Sequence, residues 1–208
     1  MKILLIRHAQ SQANVNKHLV GGRSSDVPLS PLGVEQADQL GTLLKSFDGM
    51  LARVVSSPAV RTQETARLSL QLLSEVPTIQ IETAVEEMSQ GRFEGRPRDE
   101  VYTDEIKEQI ELLGKDFSLP DEGAESMNDV AQRMDDFLRT VVAQQQPDDT
   151  VLVYTHGIAI CCYIGRLLGL SQQEIFERTR QLPNASYTEL VFSESSDTPE
   201  IRAFGVAE

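Results

Sequence analysis

The 208-residue chain contains no tryptophan and only two cysteines, Cys161 and Cys162, which are adjacent. Neighbouring cysteines rarely close a disulfide, and no third is available, so the pair suits a reducing compartment. No Cys-x-x-Cys or His-x-x-x-His pair exists, which argues against a zinc site; no metal and no cofactor are expected. The chain also lacks any run near the ~20 apolar residues of a membrane span. Its first apolar run, Ile3 to Ile6, is too short for a signal-peptide core and is interrupted at once by Arg7-His8. The expected location is therefore the cytoplasm. Basic residues are scarce: 19 Lys and Arg stand against 32 Asp and Glu, a formal net charge of −13. Such a surface repels nucleic acid and anionic membrane, so neither is expected as a partner. Screening over about 8 Å in physiological salt still lets a local arginine cluster bind a small anion.

What is present is an alternation of short β-rich runs with longer helical patterns. Residues 3–6 (ILLI) read as a strand buried on both faces. Ser30-Pro31 reads as a helix cap followed by Pro at the first helical position, with Ala37, Leu40 and Leu44 at helical spacing. Residues 53–56 read as a second strand, and Ser57-Pro58 as the opening of a helix that runs on to Leu72 and Leu73. Residues 79–81 form a small strand. Residues 87–125 are polar and irregular, with a helix near 104–113. Ser126 caps a helix through Val141, residues 151–154 are a third buried strand, and a helix follows over 158–168. Ser171 to Glu174 fit a capping box, and 187–192 and 201–204 close the sheet. This order predicts one domain over 1–208: a three-layer α/β/α sandwich with a mostly parallel sheet, carrying a lid-like insertion at about 87–125.

Three strand ends share one character. The first ends in Arg7-His8, the second in Ser56-Ser57-Pro58 with Arg61 in the next helix, and the third in Thr155-His156-Gly157. Open α/β sheets bind ligands outside the carboxyl ends of their strands, and helix N-termini there suit phosphate. Two of the chain's three histidines and two arginines thus converge on one sheet edge. A transferred phosphoryl group needs a nucleophile and cations around its oxygens.

Residues 3–14 (ILLIRHAQSQAN) resemble the signature of the histidine phosphatase superfamily, also called the phosphoglycerate mutase-like family. The likeness continues in order through DVPLSPLGVEQA (26–37), SSPAVRTQETA (56–66), EEMSQGRFEG (86–95), GAESMNDVAQRM (123–134) and VLVYTHGIAI (151–160). The resemblance implies a phosphatase of the histidine acid type, acting through a phosphohistidine. His8 would be the nucleophile and Arg7 would bind phosphoryl oxygens. Asn14 would add a hydrogen bond, and Arg61 and His156 would complete the pocket. Glu87, four residues before Gly91, would be the proton donor rather than its neighbour Glu86. Arg23 and Ser24, in the loop after the first motif, and Gly157 would contact substrate. Two positions depart from the pattern: Ala9 and Ala124 stand where glycine is usual. Ala9 is tolerable unless the backbone there needs a positive φ.

The expected partner is a small phosphomonoester; homodimerisation suits the class. Candidate substrates are sugar phosphates, phosphoglycerate, α-ribazole phosphate and nucleoside monophosphates. A mutase is the nearest rival, but family mutases carry a tryptophan shortly before the Asn, and this chain has Ala13 there. A phosphoprotein phosphatase and a non-catalytic phospho-ligand binding module are the others; the latter usually loses the nucleophile or an arginine. Arg92, Phe93, Arg96, Arg98 and Tyr102 in the lid either touch the substrate beyond its phosphate or form a solvated loop around one buried aromatic.

Overall fold

The computed structural model describes residues 1–15, 18–193, 196 and 198–207. The first strand, β1 (Lys2–Arg7), shows why the sheet is central. Successive side chains of a strand point to opposite faces. Ile3 and Leu5 enter one apolar core and Leu4 and Ile6 the other, all four without exposed surface. A strand apolar on both faces needs a helical layer on each side, and it has them.

A short helix α1 (Gln12–Val15) follows β1, and α2 (Pro31–Leu44) begins where expected. The Ser30 hydroxyl accepts from Gly33 N at 3.1 Å, with Pro31 in the first turn. Gly33 itself packs on the backbone carbonyl of Gln10, against which a Cβ would collide. The start of α2 is thereby pressed onto the loop that leaves His8. Next come β2 (Leu51–Ser56), α3 (Val60–Ser69) and β3 (Ile79–Ile81). Residues 87–125 carry the short α4 (Arg98–Val101), unforeseen in the sequence, and α5 (Asp104–Leu113), which was expected. Helix α6 (Met127–Gln144) starts at a capping box of Ser126 and Asp129. Then come β4 (Thr150–Thr155), α7 (Gly157–Leu168), α8 (Gln172–Gln181) with its Ser171–Glu174 capping box, β5 (Tyr187–Val191) and β6 (Glu200–Val206).

The sheet has six strands in the order β3-β2-β4-β1-β5-β6. The first four run parallel; β5 and β6 add on antiparallel at one side. On one face, α6, α7 and α8 bury Met134, Leu138, Ile160, Ile164 and Ile175 against β1 and β4. On the other, α2 and α3 bury Leu40, Leu44 and Ala66 against Leu4, Ile6 and Tyr154. Each fully buried Leu or Ile contributes about 1.5–3 kcal/mol, so both layers are held by their apolar faces. Cys161 and Cys162 are buried packing residues of α7.

Register decides where the site lies. Arg7 is level with Thr155 and Ser56 with Tyr154. The ladder then runs one residue further, His8 N donating to Thr155 O and Ser57 N to Tyr154 O, each at 3.0 Å. Three adjacent strands therefore end together at His8, Ser57 and His156.

Two helix limits differ from the sequence reading. Ser57-Pro58 does not open α3: its cap is Ala59, with no side-chain bond, while the Ser57 hydroxyl accepts from Ala59 N at 3.3 Å and meets His156 Nε2 at 2.8 Å. Leu72 and Leu73 lie beyond α3, which ends at Ser69 in a tighter turn, and Leu72 is exposed.

Candidate active site

His8 is buried, and its Nδ1 lies 2.7 Å from the carbonyl oxygen of Ala9. Burial, followed by the nearby Arg61 and Arg7 cations, pushes its pKa well below the ordinary 6.5. The ring is therefore neutral near pH 7. A carbonyl can only accept, so the proton sits on Nδ1 and the Nε2 lone pair is left for reaction. The backbone at Ala9 has no positive φ, and its N–H donates to the Thr65 hydroxyl at 3.0 Å. Alanine therefore serves there as well as glycine.

Arg61 is buried in the first turns of α3. Its guanidinium donates to Ser24 O at 2.7 Å, Gly22 O at 3.1 Å and His156 Nδ1 at 3.2 Å. His156 is fully buried, with Nε2 2.8 Å from the Ser57 hydroxyl. Its pKa too is driven well below 6.5, chiefly by burial and then by Arg61. The two histidine rings meet edge to face, 5.2 Å apart. Arg7 donates to the carbonyl of Leu182, while its buried Nε has no hydrogen-bond partner. Gly157 lies flat against that guanidinium: a Cβ there would stand 3.2 Å from Nε.

Glu87 reaches the start of α7. Its Oε1 accepts from Ala159 N and Met88 N, both at 3.0 Å, and Oε2 from Ile158 N at 3.2 Å. The α7 N-terminus, expected to receive phosphate, is thus occupied by a carboxylate of the chain itself. Charge favours this seat, since a helix N-terminus carries partial positive charge. Glu86 points elsewhere, 3.3 Å from Arg23.

Asn14 is oriented by its neighbours. Its Oδ1 accepts from Ser11 N at 3.0 Å and from the Asn184 amide at 3.4 Å. The amide NH2 of Asn14 is left as the donating end.

These groups border a cavity of about 490 Å³, lined by His8, Asn14, Ser24, Arg61 and Glu87 among others. Arg7, His156 and Gly157 stand behind that wall. Arg23 does not line the cavity, contrary to expectation. It pairs with Glu86 and, at 3.1 Å, with Glu125. Of the five residues singled out within 92–102, Arg98 and Tyr102 line the cavity. Phe93 is packed in a small core with Val20, Val101 and Leu119, and Arg92 and Arg96 cover its ring at 5.1 and 5.7 Å.

Several residues that sequence reading passed over hold the site together. Arg133 on α6 donates to Ala84 O at 2.9 Å and Glu87 O at 3.1 Å while forking onto Glu125 at 2.8 and 3.1 Å. Glu94 accepts from Arg23 N and Ser24 N, both at 3.0 Å. Gly22 (φ +148°) sits over that carboxylate where a Cβ would clash. Asn184 donates to His8 O at 3.0 Å. Among the described residues, no three His, Cys, Asp or Glu side chains cluster as a metal site, and no helix is long and apolar enough to cross a membrane.

Two buried histidines, the buried Arg61, the half-buried Arg7 and a carboxylate, gathered where the strands of an α/β sheet end, suit a phosphoryl-handling class of protein. The chain belongs to the histidine phosphatase superfamily, branch 1, whose family model matches residues 3–205. That makes it an enzyme of phosphatase or mutase kind. Among curated relatives, "Probable phosphoglycerate mutase GpmB" of Escherichia fergusonii is 29% identical over 197 residues, 94% of this chain and 86% of that protein. The protein of the same name from Salmonella choleraesuis matches equally. Among solved structures, the phosphoserine phosphatase of Entamoeba histolytica in complex with 3-phosphoglyceric acid superposes with a TM-score of 0.79. It is 23% identical and covers 100% of this chain and 98% of its own. The alpha-ribazole phosphatase of Shigella flexneri gives a TM-score of 0.78 at 24% identity, covering 99% and 96%. Both establish the shared fold.

Proposed function

We propose that the protein is a metal-independent phosphomonoesterase of the histidine acid type, with His8 as its nucleophile. The observation that carries this reading is the bond from His8 Nδ1 to Ala9 O beside a cavity shared with Arg61, Asn14 and Glu87. His8 Nε2 attacks phosphorus in line as the ester oxygen leaves. Arg61 and the Asn14 amide stabilise the phosphoryl oxygens, with the charge of Arg7 behind them; a guanidinium suits this because its planar fork matches two oxygens. His156 acts on this group by holding Arg61. Glu87, which lines the cavity, is the group placed to give a proton to the leaving oxygen. Water then attacks the phosphohistidine, Glu87 takes a proton back, and phosphate leaves. A nucleophile that stays neutral well below pH 6.5 supports turnover in mildly acid solution. We further assign 1–208 to one catalytic unit, in which 87–125 forms the lid over the cavity.

The names of the curated relatives favour a second reading, phosphoglycerate mutase, in which the phosphoryl group returns to a sugar acid. The two are separated by assaying phosphate release from p-nitrophenyl phosphate and 3-phosphoglycerate in EDTA, beside a coupled mutase assay. Release by the wild type and none by His8→Ala is the expected result. Phosphoenzyme formation in His8→Ala, or activity that chelation removes and added metal restores, would overturn the mechanism.

A further inference from the structure

Beyond the strand ends and loops that carry His8, Arg61, Asn14 and Glu87, three helical segments complete the cavity, and each presents the same pairing. From α4 and the residue that ends it come Arg98 and Tyr102, four residues apart; from α5, Lys107 and Ile110, three apart; from α8, Phe176 and Arg180, four apart. Such spacings put both members of a pair on one helix face. Each segment thus supplies one apolar or aromatic side chain and one cation. The Arg98 guanidinium lies over the Tyr102 ring at 4.9 Å, and Lys107 meets Asp104 at 2.8 Å in an open pair. Arg180 is exposed and has no ionic partner among the described residues. Of the described residues lining the cavity, Glu87 alone is a carboxylate, although the chain as a whole carries a net charge of −13. The concentration of cations here runs against the composition.

A phosphoryl group is already supplied with donors by Arg61 and Asn14 and with charge by Arg7 behind them, so three further cations answer to something else on the ligand. The room available, about 490 Å³, also exceeds what phosphate on a short polar chain fills. We propose that the substrate is a phosphomonoester with an apolar body and a second anionic group. Ile110, Phe176 and Tyr102 contact the body, and Arg98, Lys107 and Arg180 read the far charge. This rests on the phosphatase reading given above.

Three alkyl phosphates with similar leaving groups test it: 6-phosphooxyhexanoate, hexyl phosphate and 3-phosphoglycerate. The first has both features, the second lacks the far anion, and the third lacks the apolar body. Wild-type kcat/KM should be greatest for the first. Arg180→Gln should lower it about fivefold for 6-phosphooxyhexanoate, as for one partly exposed ion pair, and leave hexyl phosphate unchanged. A preference for hexyl phosphate or 3-phosphoglycerate, or an equal loss on both hexyl compounds, would overturn the proposal while leaving the phosphatase in place. No phosphate release from any of the three or from p-nitrophenyl phosphate would sink the phosphatase reading itself, and this one with it.

Discussion

Arg61 donates to Nδ1 of His156 at 3.2 Å. A guanidinium can only donate, so that nitrogen is unprotonated and the neutral ring carries its proton on Nε2, aimed at the Ser57 hydroxyl 2.8 Å away. Ser57, His156 and Arg61 therefore form a buried relay that sets the angle of the arginine. Ser57→Ala leaves the Nε2 proton buried without an acceptor. The expected cost is about 1–3 kcal/mol, read by urea unfolding, together with a lower kcat/KM. Unchanged stability in that variant would refute the relay.

Both site histidines are held neutral, which links folding to pH. Each has a folded pKa well below its unfolded value of 6.5. Above pH 6.5 neither state binds the proton and nothing is lost. Below it the unfolded chain takes up protons that the folded chain refuses, so stability falls as pH falls, by up to about 1.4 kcal/mol per pH unit for each ring. Unfolding free energies measured between pH 7.5 and 5 should show this slope, and His8→Gln should reduce it. An identical slope in the variant would show that His8 titrates normally in the folded protein.

Arg133 clamps the backbone on both sides of residue 86 while gripping Glu125 with both arms of its fork. Arg133→Lys keeps the charge and loses the fork. Glu87 should then be mispositioned, lowering kcat about tenfold to a hundredfold with little change in the inhibition constant for inorganic phosphate. If binding of phosphate weakened as much as kcat fell, Arg133 would be acting on the anion and not on Glu87.

Gly157 leaves the Arg7 guanidinium its place. A methyl group there would stand 3.2 Å from Nε, tight enough to shift the arginine by a few tenths of an ångström. Gly157→Ala should raise KM for simple phosphate esters several-fold while Tm stays near that of the wild type. Kinetics indistinguishable from the wild type would show that the placing of Arg7 does not bear on phosphate binding.

Much of this site was legible because its chemistry sits where apolar runs stop. Ile3 to Ile6 had to be a covered strand, so Arg7-His8 had to emerge at its end; residues 151–154 placed His156 by the same logic. Ser30-Pro31, Ser126 and Ser171 announced their helices because capping is local. The seats of Glu87, Arg23 and Ser57 were not legible. Glu87 bonds residues 71 and 72 positions away, and Ser57 meets a partner 99 positions on. The Ser57 hydroxyl serves a distant histidine beside the local Ala59 N–H, and α3 begins at Val60, later than its sequence signal. Arg23 read as a ligand contact because one sequence does not show that Glu86 and Glu125 both fold toward it.

The order of strands across the sheet has a bearing on how the chain acquires its shape. Neither β1 nor β2 pairs with the other; both pair with β4, which comes some hundred residues later than β2. Through most of synthesis the two earlier strands have no parallel neighbour on the sides where β4 will lie. Such non-local pairing folds slowly, since a long loop must close before its contacts form. The late arrival of β4 brings His156 into line with His8 and Ser57 in the same event. The candidate site and the middle of the sheet thus both depend on β4, and a nascent chain ending before Thr155 holds neither.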